Sequence, residues 1–426
     1  MVRKPEPNKR NTMKPYFYSL LVVVAVSATG WAQPMPVLKK WLAVPFGQRP
    51  TLAAEPFAQT GLTRPEADEA ATLLLADTRA QRAASLKKGW DEKALTDGEH
   101  VLRFEYRLFG EKPRDGRSLF ISLHGGGNAK PEVNDQQWKN QIGLYKSAEG
   151  VYVAPRAPTN TWNLWHEEHI DPLLDQLIQA AVLTEGVNPD KVYIMGYSAG
   201  GDGVYQLAPR MADRWAAAAM MAGHPNEVTP VNLRNIGFTL HMGALDKAYD
   251  RNKIAERWSH WLDSLQTADP GGYKHVVQLH EGRSHWMQRE DTVAVAWMMP
   301  FRRNPVPNKV VWKQDDRLHP VFYWLAAPNS QLKTGRQAVA SYEGNTIRIE
   351  KNDYDTLRVR LNDRMMNLDK PIDVLYDGRR IFRGKVKRTL AIVHQTVMNR
   401  SDPGLIFSAE IEIRKTAGKP IVIVST

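Results

Sequence analysis

The residues best suited to chemistry are a serine and the glycines that flank it, at positions 196–200. The sequence there is Gly-Tyr-Ser-Ala-Gly, placed between an apolar run typical of a buried strand and a segment with helical spacing. A sharp strand-to-helix turn leaves no room for side chains beside the serine, and it lifts the hydroxyl above the sheet edge at a helix N-terminus. This pattern predicts Ser198 as a nucleophile. A purely structural glycine-rich turn is the alternative.

A serine hydroxyl reacts poorly until a neighbouring base takes its proton. In proteins with this type of turn, the acid and then the histidine follow the serine along the chain. His285 comes in a loop just after a predicted strand at 275–279, so it is the predicted base. His280, at the end of the same strand, is the alternative, and we expect it to be a packed structural histidine.

The acid that orients the histidine should follow an earlier strand. Asp246 comes shortly after a predicted strand at 237–242. A carboxylate buried beside the imidazole would fix its tautomer and stabilise the imidazolium. Asp250 and Glu227 remain alternatives, although Asp250 could instead cap the helix that begins near residue 251.

Negative charge that develops during attack by the serine needs backbone N–H donors that are already in place. One predicted donor is the amide of Ala199, the residue after the nucleophile. The second should come from the glycines that follow His124, and Gly125 and Gly126 would let the backbone approach a substrate closely.

Several aromatic and polar residues fall in loops at the carboxyl ends of the predicted strands. We predict that four of them contact the substrate, with core packing as the alternative for the tryptophans: Trp162, Trp165, Trp286 and His224. Asp202 is expected to stabilise a helix start. The histidines of the His-Glu-Glu-His segment at 166–169 are three residues apart rather than four, so they do not form the zinc-protease motif.

Strands and helices alternate between residues 100 and 303, which predicts a mostly parallel sheet with helices on both faces. Residues 33–99 are predicted to form an irregular arm up to residue 62 and then an amphipathic helix at 64–88. Residues 304–426 show period-2 segments, with Asp377 and Gly378 between two of them as a hairpin signal. They predict a separate, small all-β domain.

The first 32 residues predict a signal peptide. Five basic residues precede a nearly uncharged apolar run at 16–28, and small residues follow it. An uncleaved anchor is the alternative, but the run is shorter than the ~20 residues that span a bilayer. We therefore expect a periplasmic or secreted protein with no stable membrane span after cleavage. Met1 and Met13 are both possible start sites.

Composition narrows the range of partners. The chain of 426 residues has a formal net charge of +11, and removal of residues 1–32 would leave about +7. Its Lys and Arg residues are scattered rather than clustered, so we expect no nucleic-acid partner. The absence of cysteine excludes thiol catalysis and zinc sites built on cysteine.

Together, the motifs at 124–127, 196–200, 243–246 and 284–286 resemble those of the α/β-hydrolase superfamily. Within it, residues 100–300 resemble secreted esterases related to polyhydroxybutyrate depolymerases and to feruloyl or acetylxylan esterases, and also the prolyl-oligopeptidase catalytic domain. The resemblance implies the triad Ser198, Asp246 and His285, with no metal or organic cofactor. It implies a small-molecule or polymeric ester substrate, such as one linked to a polysaccharide. A serine peptidase and a catalytically silent carbohydrate-binding or adhesion protein are the alternatives. No propeller region is visible, which disfavours the peptidase.

Overall fold

The computed structural model describes residues 1–2, 33–416 and 418–424, so nearly all of the predicted signal peptide lies outside the described residues. The α-helices are α1 (Pro34–Ala43), α2 (Arg64–Asp91), α3 (Pro131–Ile142), α4 (Ile170–Thr184), α5 (Ala199–Arg210), α6 (Arg251–Ala268), α7 (Val293–Met298) and α8 (Leu390–Arg400). Within the described ranges, no helix is both long enough and apolar enough to cross a membrane.

Eight strands form one large sheet, in the order β1-β2-β4-β3-β5-β6-β7-β8. They are β1 (Ala94–Asp97), β2 (His100–Phe109), β3 (Arg117–Leu123), β4 (Gly150–Arg156), β5 (Val187–Tyr197), β6 (Ala217–Met221), β7 (Gly237–Gly243) and β8 (His275–His280). Strands β3 to β8 pair in parallel, and β2 pairs antiparallel with β1 and β4. The predicted mostly parallel sheet is confirmed.

The central strands are buried along their whole length, as parallel strands covered on both faces must be. Because they run in the same direction, their carboxyl ends meet at one edge of the sheet. The loops after β3, β5, β7 and β8 all leave from that edge and carry the predicted triad and backbone-donor residues, while the loops after β4 and β6 carry Trp162, Trp165 and His224. This is the α/β-hydrolase fold.

The N-terminal segment is more ordered than the sequence indicated. The prediction of an irregular arm at 33–62 was wrong for α1, which begins at Pro34 and buries Leu38 completely. The prediction of a helix from residue 64 is confirmed by α2, where Thr63 and Glu66 form a capping box. Both helices and α8 bury apolar side chains in a shared second core.

The C-terminal region contains two five-stranded sheets, as expected for a small β domain. One has the order β10-β11-β14-β17-β18 and the other β16-β15-β13-β12-β9. Their strands are β9 (Lys309–Lys313), β10 (Val321–Phe322), β11 (Leu325–Ala326), β12 (Gln337–Glu343), β13 (Thr346–Asn352), β14 (Thr356–Leu361), β15 (Ile372–Tyr376), β16 (Arg379–Gly384), β17 (Ala409–Thr416) and β18 (Lys419–Val424). The hairpin at Asp377 and Gly378 is confirmed, since β15 and β16 pair antiparallel.

Two features of this region depart from the predicted separate all-β domain. Helix α8 interrupts it, because Thr389 caps a helix start and the buried face of the helix packs against α2. In addition, one continuous cluster of buried apolar side chains extends from the large sheet into both C-terminal sheets. Polar contacts join the same parts: the side-chain amide of Asn232 donates to the carbonyl of Lys313 in β9 and accepts from its N–H, each at 2.8 Å.

Candidate active site

Ser198 stands on the tight turn between β5 and α5. Its backbone has φ 57° and ψ −123°, a conformation that costs free energy for a residue with a side chain. The neighbouring backbones are packed so closely that a Cβ on Gly196 would overlap the carbonyl of Gly200, and a Cβ on Gly200 would overlap that of Leu123. The glycines of the motif are therefore required by close approach, as the sequence predicted.

The structure brings the three predicted triad residues together. Nε2 of His285 lies 2.9 Å from Oγ of Ser198, and its Nδ1 lies 2.7 Å from Oδ2 of Asp246. A carboxylate can only accept, so Nδ1 carries the proton and Nε2 can accept the serine proton. Asp246 is 2% exposed, whereas the side chain of His285 is 42% exposed. The carboxylate is thus shielded from water while the imidazole faces the surface.

Backbone contacts hold the acid loop against the histidine loop. The N–H of Ala244 donates to the carbonyl of His280 at 3.0 Å, and that of Leu245 donates to Arg283 at 2.8 Å. Gly243 lies so close to Ser284 that a Cβ there would overlap the Ser284 carbonyl. The two loops therefore form one packed unit, which fixes the distance between Asp246 and His285.

Tyr197, the residue before the nucleophile, is a further link that the sequence did not reveal. Its hydroxyl donates to the carbonyl of His285 at 2.6 Å and accepts from the N–H of Met287 at 3.0 Å. Burial raises the pKa of Tyr197, so the hydroxyl stays protonated and available as a donor. One side chain thereby connects the serine turn to the backbone of the histidine and of the residue two positions after it.

The predicted glycine loop lies beside the serine. A Cβ on Gly125 would come 3.1 Å from Cβ of Ser198. His124 is fully buried; its Nδ1 donates to the carbonyl of Gly125 at 2.6 Å, while Nε2 accepts from the N–H of Ala157 at 3.1 Å. Burial lowers the pKa of His124 to about 4, which keeps the ring neutral and this pattern of donor and acceptor intact.

Asn134, which the sequence did not single out, supports the same loop from α3. Its Oδ1 accepts from the N–H of Gly127 at 2.8 Å, and its Nδ2 donates to Oδ1 of Asn160 at 2.9 Å. Gly126 has φ +105°, and a Cβ on it would overlap Oδ1 of Asn134. Opposite this loop, Ala199 opens α5, where the first amides have no partner within the helix. The predicted backbone donors thus lie on two sides of Ser198.

The four predicted substrate residues fall into different environments. Trp162 and Trp286 are 60% and 48% exposed, and the Trp286 ring lies 5.7 Å from that of Tyr197. His224 is half-buried after β6, in a groove it shares with Trp258 and Trp261 of α6.

The prediction that Trp165 contacts the substrate was wrong. Trp165 is completely buried, and its Nε1 donates to the carbonyl of His124 at 2.9 Å. This tryptophan supports the glycine loop and has no surface left for a substrate.

The side chains of the alternative residues have partners outside the triad. His280 is buried and pairs with the ring of His241 at 3.1 Å, as a packed histidine would. Asp250 is exposed and pairs with Lys253 at 3.1 Å, and it does not cap α6 through its side chain. Glu227 lies 3.5 Å from Gln206.

Asp202, in the first turn of α5, has a shifted pKa, which its predicted role of stabilising a helix start does not explain. Its Oδ1 accepts from the N–H of His224 at 2.5 Å. Burial raises the pKa of Asp202 to about 6, although the hydrogen bond and the nearby Arg251 and His285 act in the opposite direction. This carboxyl, close to the triad, therefore titrates well above the usual range of an aspartate.

Among the described residues, no group of three or more His, Cys, Asp or Glu side chains is placed so that it could hold a metal ion. His169 of the His-Glu-Glu-His segment instead stacks on His100, with ring centroids 3.7 Å apart.

Comparison with solved structures returns several esterases among its matches, although no protein-family model and no curated protein matches the sequence. A thermostable esterase is similar over 49% of this chain and 62% of its own, with 18% identity and a TM-score of 0.37. Esterase PE8 covers 46% of this chain and 99% of its own, with 20% identity and a TM-score of 0.32. A ferulic acid esterase covers 49% of this chain and 96% of its own, with 14% identity and a TM-score of 0.36.

Proposed function

We propose that this protein is an exported serine esterase that hydrolyses carboxylic esters through an acyl-enzyme intermediate. The observation that carries the proposal is the continuous hydrogen-bonded line from Ser198 through His285 to Asp246, with distances of 2.9 and 2.7 Å. Export is proposed from the basic and apolar pattern at the N-terminus.

In the proposed mechanism, Nε2 of His285 takes the Ser198 proton as Oγ attacks the ester carbonyl carbon. Asp246 stabilises the resulting imidazolium and keeps the ring oriented. The carbonyl oxygen becomes an oxyanion that the amides of Ala199 and the Gly125–Gly126 loop stabilise. His285 then protonates the departing alkoxide, which leaves as the alcohol. Water attacks the acyl-enzyme by the same route, and the acid is released.

The surroundings of Ser198 favour a substrate that extends well beyond the ester group that is hydrolysed. The imidazole of His285 is accessible, and exposed indoles stand on both sides of the site, with Trp162 beside the glycine loop and Trp286 beside Tyr197. Exposed aromatic rings provide flat apolar surfaces for sugar rings or aromatic acyl groups. We therefore favour a polymeric ester, such as a polysaccharide with acetyl or feruloyl substituents, as the substrate class.

The proposal is tested by parallel assays of the mature protein with p-nitrophenyl acyl esters and peptide p-nitroanilides. Ester hydrolysis that disappears in Ser198→Ala, with far slower anilide cleavage, is the expected result. Faster anilide cleavage would identify a peptidase. No hydrolysis of either class over a panel of acetyl, feruloyl and longer acyl esters would favour a silent binding protein.

A further inference from the structure

A cavity of about 210 Å³ lies where three parts of the chain meet, away from Ser198. Helix α2 forms one wall and helix α4 the second. The third wall is the end of α8 with residues 401–403, from the C-terminal region. None of the triad, glycine-loop or exposed tryptophan residues described above lines it.

One part of the cavity wall is apolar. Its residues are Leu86 of α2, Ile178 and Val182 of α4, and Pro403. Ile178 is 8% exposed, and Leu86 and Val182 pack against the main core. This wall suits a hydrocarbon body, because apolar surface is stabilised by removal from water.

The remaining wall is basic and incompletely paired. It contains four arginines and two aspartates: Arg79, Arg82, Arg214, Arg400, Asp175 and Asp402. Arg214 donates to both carboxylate oxygens of Asp175, at 2.5 and 2.9 Å. Its buried Nη1 lies 3.9 Å from Oδ2 of Asp213, too far for a hydrogen bond, and has no hydrogen-bond partner among the described residues. The buried Oγ of Ser401 also lacks one there.

Arg79 adds a charge with no acid to balance it. Its guanidinium makes no hydrogen bond or ion pair with the described part of the chain, whereas its neighbour Arg82 donates to Gln179 at 3.2 Å. Arg400, by contrast, is paired with acids, since it lies 3.0 Å from Asp213 and 3.5 Å from Asp175. Arg79 is half-buried, and Nη1 of Arg214 is a buried donor without an acceptor, which is costly. An anion that accepts from these two guanidiniums is therefore the group that this wall would take.

We propose that this cavity is a binding site for a small monocarboxylate with an apolar body, such as a short-chain alkanoate. A carboxylate matches the planar fork of a guanidinium, and its hydrocarbon part would pack on the apolar wall. The size also fits, because a cavity of ~150 Å³ already holds a benzene molecule. Since all three walls contribute, the bound acid would connect α2, the hydrolase domain and the C-terminal region. The proposal does not depend on the esterase activity.

The test is isothermal titration calorimetry of the full mature protein with sodium hexanoate, with hexan-1-ol as the uncharged counterpart. We expect one hexanoate site and much weaker binding of the alcohol. Arg79→Gln should weaken hexanoate binding by about 10-fold or more, because a hydrogen bond to a charged group contributes ~1.5–3 kcal/mol. Val182→Trp, which fills the cavity, should weaken it as well.

The matched control is Lys87→Gln, which removes a positive charge from an exposed position of the same helix, where Lys87 pairs with Asp91. It should leave hexanoate affinity unchanged. Absence of hexanoate binding would overturn the proposal. So would binding that is equally strong in Arg79→Gln and Val182→Trp, because the acid would then be held elsewhere, as at the catalytic serine.

Discussion

Tyr197→Phe should impair catalysis although residue 197 does not contact the reacting atoms. The substitution removes one hydroxyl and two hydrogen bonds, and it leaves the N–H of the fully buried Met287 without its acceptor. An unsatisfied buried donor costs ~1–3 kcal/mol. The loop that contains residues 285–287 can avoid this cost by moving so that water reaches the N–H of Met287. That movement would take His285 away from Ser198. If the full ~1–3 kcal/mol is lost from the stability of the conformation in which His285 contacts Ser198, fewer molecules are active and kcat falls by about 5- to 150-fold.

The assay is p-nitrophenyl acetate hydrolysis, with kcat and KM determined separately for the wild type, Tyr197→Phe and Tyr205→Phe. Tyr205 provides a matched control because its buried hydroxyl has no hydrogen-bond partner among the described residues. Its removal should leave kcat unchanged. We expect Tyr197→Phe to lower kcat with KM nearly constant. Wild-type kcat in Tyr197→Phe, or an equal loss in Tyr205→Phe, would refute the positioning role.

Three further predictions concern the same site. Asp246→Asn should lower kcat by about 10⁴-fold, because an amide there favours the wrong imidazole tautomer; a loss below tenfold in a variant with unchanged Tm would contradict this role. Asn134→Leu should lower kcat because the N–H of Gly127 loses its acceptor, but by less than the ~10²- to 10³-fold of losing a direct oxyanion donor. Asn134→Asp keeps an acceptor oxygen and should retain most activity, so equal losses in the two variants would contradict the assignment. Burial raises the pKa of Asp202 to about 6, so the folded protein binds this proton more tightly than the unfolded chain, and stability falls as pH rises from about 4 to 6. Asp202→Asn keeps an acceptor for the N–H of His224, so it should be more stable than the wild type by ~2–3 kcal/mol at pH 7 and equal to it at pH 4. Urea unfolding at the two pH values measures this, and a pH-independent difference would contradict it.

The sheet could be predicted because its strands are short apolar runs separated by helical segments. The strands predicted at 237–242 and 275–279 each lie within one residue of β7 and β8. Helix α1 was missed because prolines at positions 34 and 36 suggested a loop, although proline is tolerated in the first turn. Its buried residues Met35, Leu38 and Trp41 carry the helical spacing that could have revealed it. Helix α8 was missed because Ile392, Val393 and other β-branched residues favour strands, and its packing against α2 is a tertiary effect.

The chain order of serine, acid and histidine, combined with the ends of strands, was enough to select the three residues that the structure brings together. Their supports could not be found in this way. Tyr197 reaches backbone groups about 90 residues further along the chain, and Asn134 lies on a helix that the sequence did not predict. Trp162 and Trp165 are three residues apart, yet one is exposed and the other buried. Composition and spacing do not distinguish two such indoles.

The most direct test of the proposed role of Ser198 is to identify the residue that a fluorophosphonate modifies. We expect a single adduct, located on Ser198 by peptide mass mapping, with its rate of formation strongly reduced in Asp246→Asn. Modification at another residue, or an unmodified protein after prolonged exposure, would contradict the claim that His285 activates this serine.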